Sequence, residues 1–110
     1  MNDYIQVTTT AARKADAEKI AQTAIERDLA ACVQIHGPVI STYRWQGKIE
    51  KAEEWICLIK TEKRLFSELE QAILAVHPYD TPEIIFYPIT GGSRPYLDWV
   101  SEVVKKQPPT

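Results

Sequence analysis

Residues 31–61 hold the feature that most constrains how this chain can fold: two long β-type runs placed back to back. Ala31 to Gln46 is rich in β-branched and aromatic residues and is interrupted once, by Gly37-Pro38. Gln46-Gly47 is a turn signal, and Lys48 to Thr61 runs back as a second strand. The fourteen residues from Lys48 to Thr61 extend about 46 Å at roughly 3.3 Å per residue. A compact domain of this length has a radius of gyration of only about 13 Å. Such a hairpin must bend, protrude or reach onto a neighbour. Gly37-Pro38 offers a bend, while Tyr43, Trp45 and Trp55 offer aromatic anchors for a partner.

The flanking segments complete one domain over residues 1–106, with residues 107–110 expected to be a disordered tail. Tyr4 to Thr10 reads as a strand, and Ala17, Ile20, Ala21, Ala24 and Ile25 recur as one face of a helix. A second stripe, Leu65, Phe66, Leu69, Ala72, Ile73 and Val76, ends at His77-Pro78. Glu83 to Tyr87 is a short strand bracketed by Pro82 and Pro88. The last helix has Ser93 as N-cap, Pro95 in its first turn, and a stripe of Tyr96, Leu97, Val100, Val103 and Val104. The order βαββαβ plus a C-terminal helix predicts an α+β, ferredoxin-like fold. Helices on one face of such a sheet leave the other open. Yet Trp55 to Ile59 and Ile84 to Tyr87 are apolar without alternation, so both faces of these strands call for cover. The chain shows no second layer of its own, and a self-contact is the simplest answer.

Charge and composition exclude whole classes of function. Thirteen basic against fifteen acidic residues give a net charge of −2, against the basic surface that nucleic acid requires. Apolar runs of about five residues, against the roughly 18 of a membrane span, predict no membrane insertion. Met1-Asn2-Asp3-Tyr4 lacks the basic and apolar regions of a signal peptide, which predicts a cytoplasmic location. Cys32 and Cys57 form no CxxC pair and sit in apolar runs, as free buried thiols do.

Candidate chemistry gathers in two places. His77 stands at the end of the second helix in the run His77-Pro78-Tyr79-Asp80-Thr81-Pro82-Glu83, where imidazole with Asp80, Glu83 or a donor from another subunit would make a metal site. A histidine held by the helix dipole is the competing reading. Along the hairpin, Tyr43, Trp45, Lys48, Glu50 and Lys60 offer cation and ring contacts to a small anion or carboxylate at an oligomer seam. Interfacial ion pairs and aromatic packing account for the same residues. Cys32 and Cys57 as Cu(I) ligands, His36 as a ligand, and Thr90-Gly91-Gly92-Ser93 as an anion nest compete with core packing, a turn residue and a plain helix cap. No GxSxG, HExxH or phosphate-loop pattern is present, and the chain does not read as an enzyme.

Several of these segments together resemble the CutA family of divalent-cation tolerance proteins. The likeness runs from about Val7 to Trp99 and rests on Ala31-Cys32-Val33, the run Ser41 to Glu50, Lys60-Thr61, His77 to Ile84, and Tyr96-Leu97-Asp98-Trp99. It implies a tight homotrimer similar in architecture to the PII signalling proteins, with the hairpin carrying much of the contact. It also implies a cytoplasmic role in the response to copper and other divalent metals, with no obligatory cofactor. The family's copper site uses a cysteine and two adjacent histidines. Here those positions fall on Thr9, Val76 and His77, so only His77 carries over. His36-Gly37-Pro38 also departs from the family's apolar residue followed by Pro-Gly. Three roles follow from the resemblance: a metal-responsive trimer using His77, Asp80 and Glu83; a PII-like sensor taking a small anion at Tyr43, Trp45, Lys48 and Lys60 between subunits; or a trimeric scaffold for an unidentified protein partner.

Overall fold

β-branched Val7, Thr8, Thr9 and Thr10 build β1 (Tyr4–Ala11) at the centre of the sheet. A computed structural model describes residues 3–108; Met1 and Asn2, and the last two residues of the expected tail, lie outside the described residues. The remaining elements are α1 (Lys14–Glu26), β2 (Cys32–Trp45), β3 (Lys48–Glu62), a 3-10 turn (Lys63–Leu65), α2 (Phe66–Val76), β4 (Ile84–Ile89) and α3 (Arg94–Val103). The sheet order is β2-β3-β1-β4 with every pairing antiparallel, the expected ferredoxin-like arrangement.

One face of the sheet is sealed by α1 and α2. Ile5, Val7, Cys57 and Ile59 join Ala17, Ile20, Leu69 and Ile73 in the main core, and Phe86 meets Phe66 with ring centroids 4.8 Å apart. The predicted stripe of α1 is narrower than its spacing implied: Ala17, Ile20 and Ala24 are buried, but Ile25 is 41% exposed. Likewise β4 starts at Ile84 and runs through Pro88 to Ile89. As an edge strand paired only with β1, it tolerates the missing proline donor.

The other face has a partial layer that the sequence reading did not foresee. Leu97 and Val100 of α3 pack on Tyr4, beside Ala31 and Ile89. The Tyr4 hydroxyl lies 2.7 Å from Ser101 Oγ, and Ser101 Oγ donates to Glu62 Oε2 at 2.6 Å. Arg64 Nε donates to the other oxygen of the Glu62 carboxylate at 2.6 Å, so this buried charge is paired. Ser93 enters α3 without a side-chain cap; its carbonyl instead accepts the Leu97 N–H at 3.0 Å. Helix α3 covers only the Tyr4 end of this face. Ile85 and Tyr87 of β4 stay exposed, and Ile56 and Leu58 are only half-buried.

The hairpin both bends and protrudes, stretching the molecule to 49 × 27 × 24 Å with a radius of gyration of 14.8 Å. Pairing runs from Cys32↔Lys60 to His36↔Ile56 and resumes at Val39↔Glu54, so β2 carries one extra residue in a bulge at Gly37-Pro38. Gly37 has φ +150°, and a Cβ there would lie 2.9 Å from the Glu54 carbonyl oxygen, which only glycine accommodates. The bulge reverses the alternation of β2. Cys32, Gln34 and His36 share a face with Val39, Ser41, Tyr43 and Trp45 beyond it. Positive φ at Gln46 (50°) and Gly47 (79°) closes the two-residue turn.

Candidate functional site

His77 ends α2 in an extended conformation, as the following proline dictates. Its ring is fully engaged. The Tyr79 backbone N–H donates to Nδ1 at 3.1 Å, which leaves the proton on Nε2 to donate to the Thr10 carbonyl at 2.8 Å. The imidazole therefore ties the segment after α2 to the end of β1. To ligate a metal it would first release one of these bonds. Among the described residues, no three His, Cys, Asp or Glu side chains come together as a group able to hold a metal ion.

Tyr79 carries the tie to the hairpin: its hydroxyl donates to Glu54 Oε2 at 2.8 Å. Burial, and next the adjoining Glu54 carboxylate, push the phenol above its ordinary range. The 77–83 segment and the hairpin thereby enclose a cleft of about 670 Å³. Tyr43 and Trp45 line it from β2, Glu54 from β3 and Thr10 from β1, while Tyr79, Asp80 and Glu83 line it from the segment after α2. Among the described residues, no lysine, arginine or histidine lines this cleft.

The structure thus redistributes the sequence candidates. Asp80 and Glu83, singled out with His77, join Tyr43 and Trp45, singled out for a different ligand. Lys48 lies at the hairpin tip opposite Trp45, outside the lining. Lys60 lies at the far end of β3, where its Nζ donates to the Gln34 side-chain oxygen. Within one chain the four predicted anion contacts do not converge. Glu54, Tyr79 and Thr10 were not singled out. Glu54 belongs to the cleft because the bulge aligns it with the odd-numbered residues of β2, a parity change that the residue string shows only as Gly37-Pro38.

Other candidates resolve into packing. Trp55 packs on the domain's own core, with Lys14 Nζ 5.6 Å from its ring centroid. Cys57 is buried, its thiol donating to the Ala17 carbonyl at 3.6 Å, and burial pushes it up to about 11; Cys32 is free and half-buried. Thr9 is fully buried opposite Cys57, its hydroxyl without a hydrogen-bond partner among the described residues, and Val76 packs against the main core. The Thr90–Ser93 turn borders a second cleft of about 920 Å³ with mixed charge, where Arg94 pairs with Asp98 at 3.6 Å.

Comparison with known proteins places this geometry in a family. The profile of the CutA1 divalent ion tolerance protein family matches residues 5–103. The divalent-cation tolerance protein CutA of Thermus thermophilus is 44% identical over 86 residues, covering 78% of this chain and 84% of that protein. That of Archaeoglobus fulgidus is 39% identical over 105 residues, covering 96% of this chain and 100% of the relative. Against the mouse protein CutA, 40% identical over 89 residues, this chain spans 50% of the relative's length. Among solved structures, CutA1 from Oryza sativa superposes with a TM-score of 0.93 at 35% identity, covering 96% of this chain and 97% of that one. The A. fulgidus structure, described as a periplasmic divalent cation tolerance protein, gives 0.90 at 39% identity, covering 93% and 99%. No helix among the described residues is long and apolar enough to cross a membrane. With matching sequence over nearly its whole length and the same fold, this chain belongs to the CutA divalent-cation tolerance family.

Proposed function

We propose that the chain acts in divalent-cation tolerance as a PII-like homotrimer. In this reading it takes copper or another divalent metal weakly, at the Asp80 and Glu83 carboxylates of the hairpin cleft, with no obligatory cofactor and no catalysis. The observation that carries the reading is the acidic lining: among the described residues, three carboxylates and no basic side chain. One or two carboxylates with water completing the shell suit hard divalent cations best and hold copper or zinc only weakly, which is why the reading is one of weak binding without a preformed chelate. In this reading His77 organises the segment and adds an imidazole only when one of its two hydrogen bonds opens.

Support for self-assembly comes from what one chain leaves uncovered. Ile40, Ile49, Ile85, Tyr87 and Trp99 are exposed large apolar residues, and β2 and β4 are both free sheet edges. Free Cys32 and Cys57 suit a reducing compartment, in keeping with the cytoplasm. A small anion held by Tyr43, Trp45, Lys48 and Lys60 draws no support from a single chain, since the two lysines stand apart.

Native mass spectrometry with limiting Cu(II) or Zn(II) tests the reading. Expected is an assembly of three 12.5 kDa chains, with metal adducts that Asp80→Asn combined with Glu83→Gln removes while the trimer persists. Adducts that survive this double change move the site elsewhere. A trimer that never gains mass removes direct metal binding. A partner captured equally with and without chelator would favour the scaffold role.

A further inference from the structure

The hairpin leaves the body of the domain at one level of β3. The β1 ladder on β3 ends at Ala11↔Trp55, and Trp55 still packs against the main core. From Glu54 outward β3 has only β2 beside it, and the bulge interrupts that pairing between His36↔Ile56 and Val39↔Glu54. The third strand, the core and the even ladder all stop at nearly the same level. Beyond it, among the described residues, no side chain from 39 to 53 joins the core or makes a hydrogen bond or ion pair. A two-stranded ribbon has little stability of its own, and a bulge is where it bends.

One line of side-chain bonds reaches the ribbon where it becomes free. The Tyr79 hydroxyl donates to Glu54 Oε2 at 2.8 Å, and Tyr79 is itself anchored to the body. Its N–H donates to His77 Nδ1 at 3.1 Å, and His77 Nε2 donates to the Thr10 carbonyl at 2.8 Å. The two rings also pack on each other, with centroids 4.8 Å apart. Thr10 lies opposite Ile56, next to the last rung of the β1 ladder. The bonds therefore run from β1 through His77 and Tyr79 to the first residue of the free ribbon.

We infer that Tyr79 is a strut. It fixes the angle at which the hairpin arm, residues 39–54, leaves the domain, and without it the arm pivots at the bulge. His77 is the footing of the strut on β1. Because the arm carries the exposed Ile40 and Ile49, the strut sets where those side chains are presented. The inference rests on this geometry alone and is independent of whether the cleft takes a metal.

Hydrogen exchange read by mass spectrometry on the full-length protein tests it, with wild type set beside Tyr79→Phe, Glu54→Gln and Glu54→Ala. Loss of the bond should speed exchange of the arm and bulge amides by about fivefold or more, in Tyr79→Phe and Glu54→Ala alike. Glu54→Gln keeps an oxygen that accepts from the phenol and should stay within about twofold of wild type. Amides of α1, α2 and β1 should be unchanged in all three variants. Unchanged arm exchange in Tyr79→Phe overturns the inference, whether the ribbon is stiff by itself or a neighbouring chain holds it. Faster exchange confined to residues 77–83 overturns it too, because Tyr79 then orders only its own segment. A uniform rise across the helices and β1 marks a loss of global stability and overturns it as well. So does Glu54→Gln exchanging as fast as Glu54→Ala, because the hydroxyl-to-oxygen bond is then not what holds the arm.

Discussion

The two ends of β3 place isoleucines in opposite surroundings. Ile59 is fully buried under α1 and α2, whereas Ile49, ten positions earlier on the same strand, is 68% exposed. Strand geometry is continuous between them, so the difference lies in what is layered above each position. The base of the sheet has helices on one face and α3 on part of the other; the tip has only its hairpin partner. Apolar side chains at the base therefore stabilise the fold of one chain, and those at the tip are the ones available to the proposed contacts between chains.

Substitutions at the two ends should break or sharpen this contrast. The largest effect is expected for Ile59→Ala, which opens a cavity in the main core and should cost about 2–5 kcal/mol in urea denaturation; a cost below that of tip substitutions would erase the distinction. Gly37→Ala, at the joint between base and tip, combines a positive φ with a close approach to the Glu54 carbonyl. It should cost about 1–3 kcal/mol, read as a lowered denaturation midpoint.

A pH series probes the base separately. The Cys57 thiol, held near 11 when folded against an ordinary 9.0, keeps its proton while the unfolded chain loses it. Stability should therefore decline as pH rises from about 9 to about 11, and Cys57→Val should flatten that part of the profile relative to wild type. If the two profiles stay parallel, the thiol makes no contribution. Thr9→Val replaces an unpaired buried hydroxyl with a methyl group of similar size and should stabilise by up to about 1 kcal/mol; a loss would show that the hydroxyl has a partner. The smallest effect is expected for Ile49→Ala, within about 0.5 kcal/mol for the fold of the chain itself. Sedimentation should show it weakening self-association instead.

Much of the base was legible from residue order. Periodicity located both core helices within a residue or two, and Gln46-Gly47 and Gly37-Pro38 marked the turn and the irregular point of the hairpin. The candidate site was legible only in pieces. Asp80 and Glu83 stood out through their proximity to His77 in sequence, and Tyr43 and Trp45 through their place on the hairpin. That these two sets share one cleft was not readable, because Glu54 and Tyr79 connect segments 25 positions apart. The proposed role of His77 as a ligand rested on its side-chain type. Its two hydrogen bonds depend on where the Thr10 carbonyl and the Tyr79 N–H fall.

By itself, then, the amino-acid order determined the local elements, the hairpin's length and bend, and the family. Each follows from short-range rules: side-chain periodicity, proline and glycine dihedrals, and runs of matching residues. Tertiary structure decided which faces are covered, the sign of charge around Tyr43 and Trp45, and the separation of Lys48 from Lys60. Those outcomes depend on sheet register, where a single extra residue at Gly37-Pro38 changes which side chains share a face with Glu54. They depend also on α3 folding back over Tyr4, a long-range packing choice that no local pattern encodes.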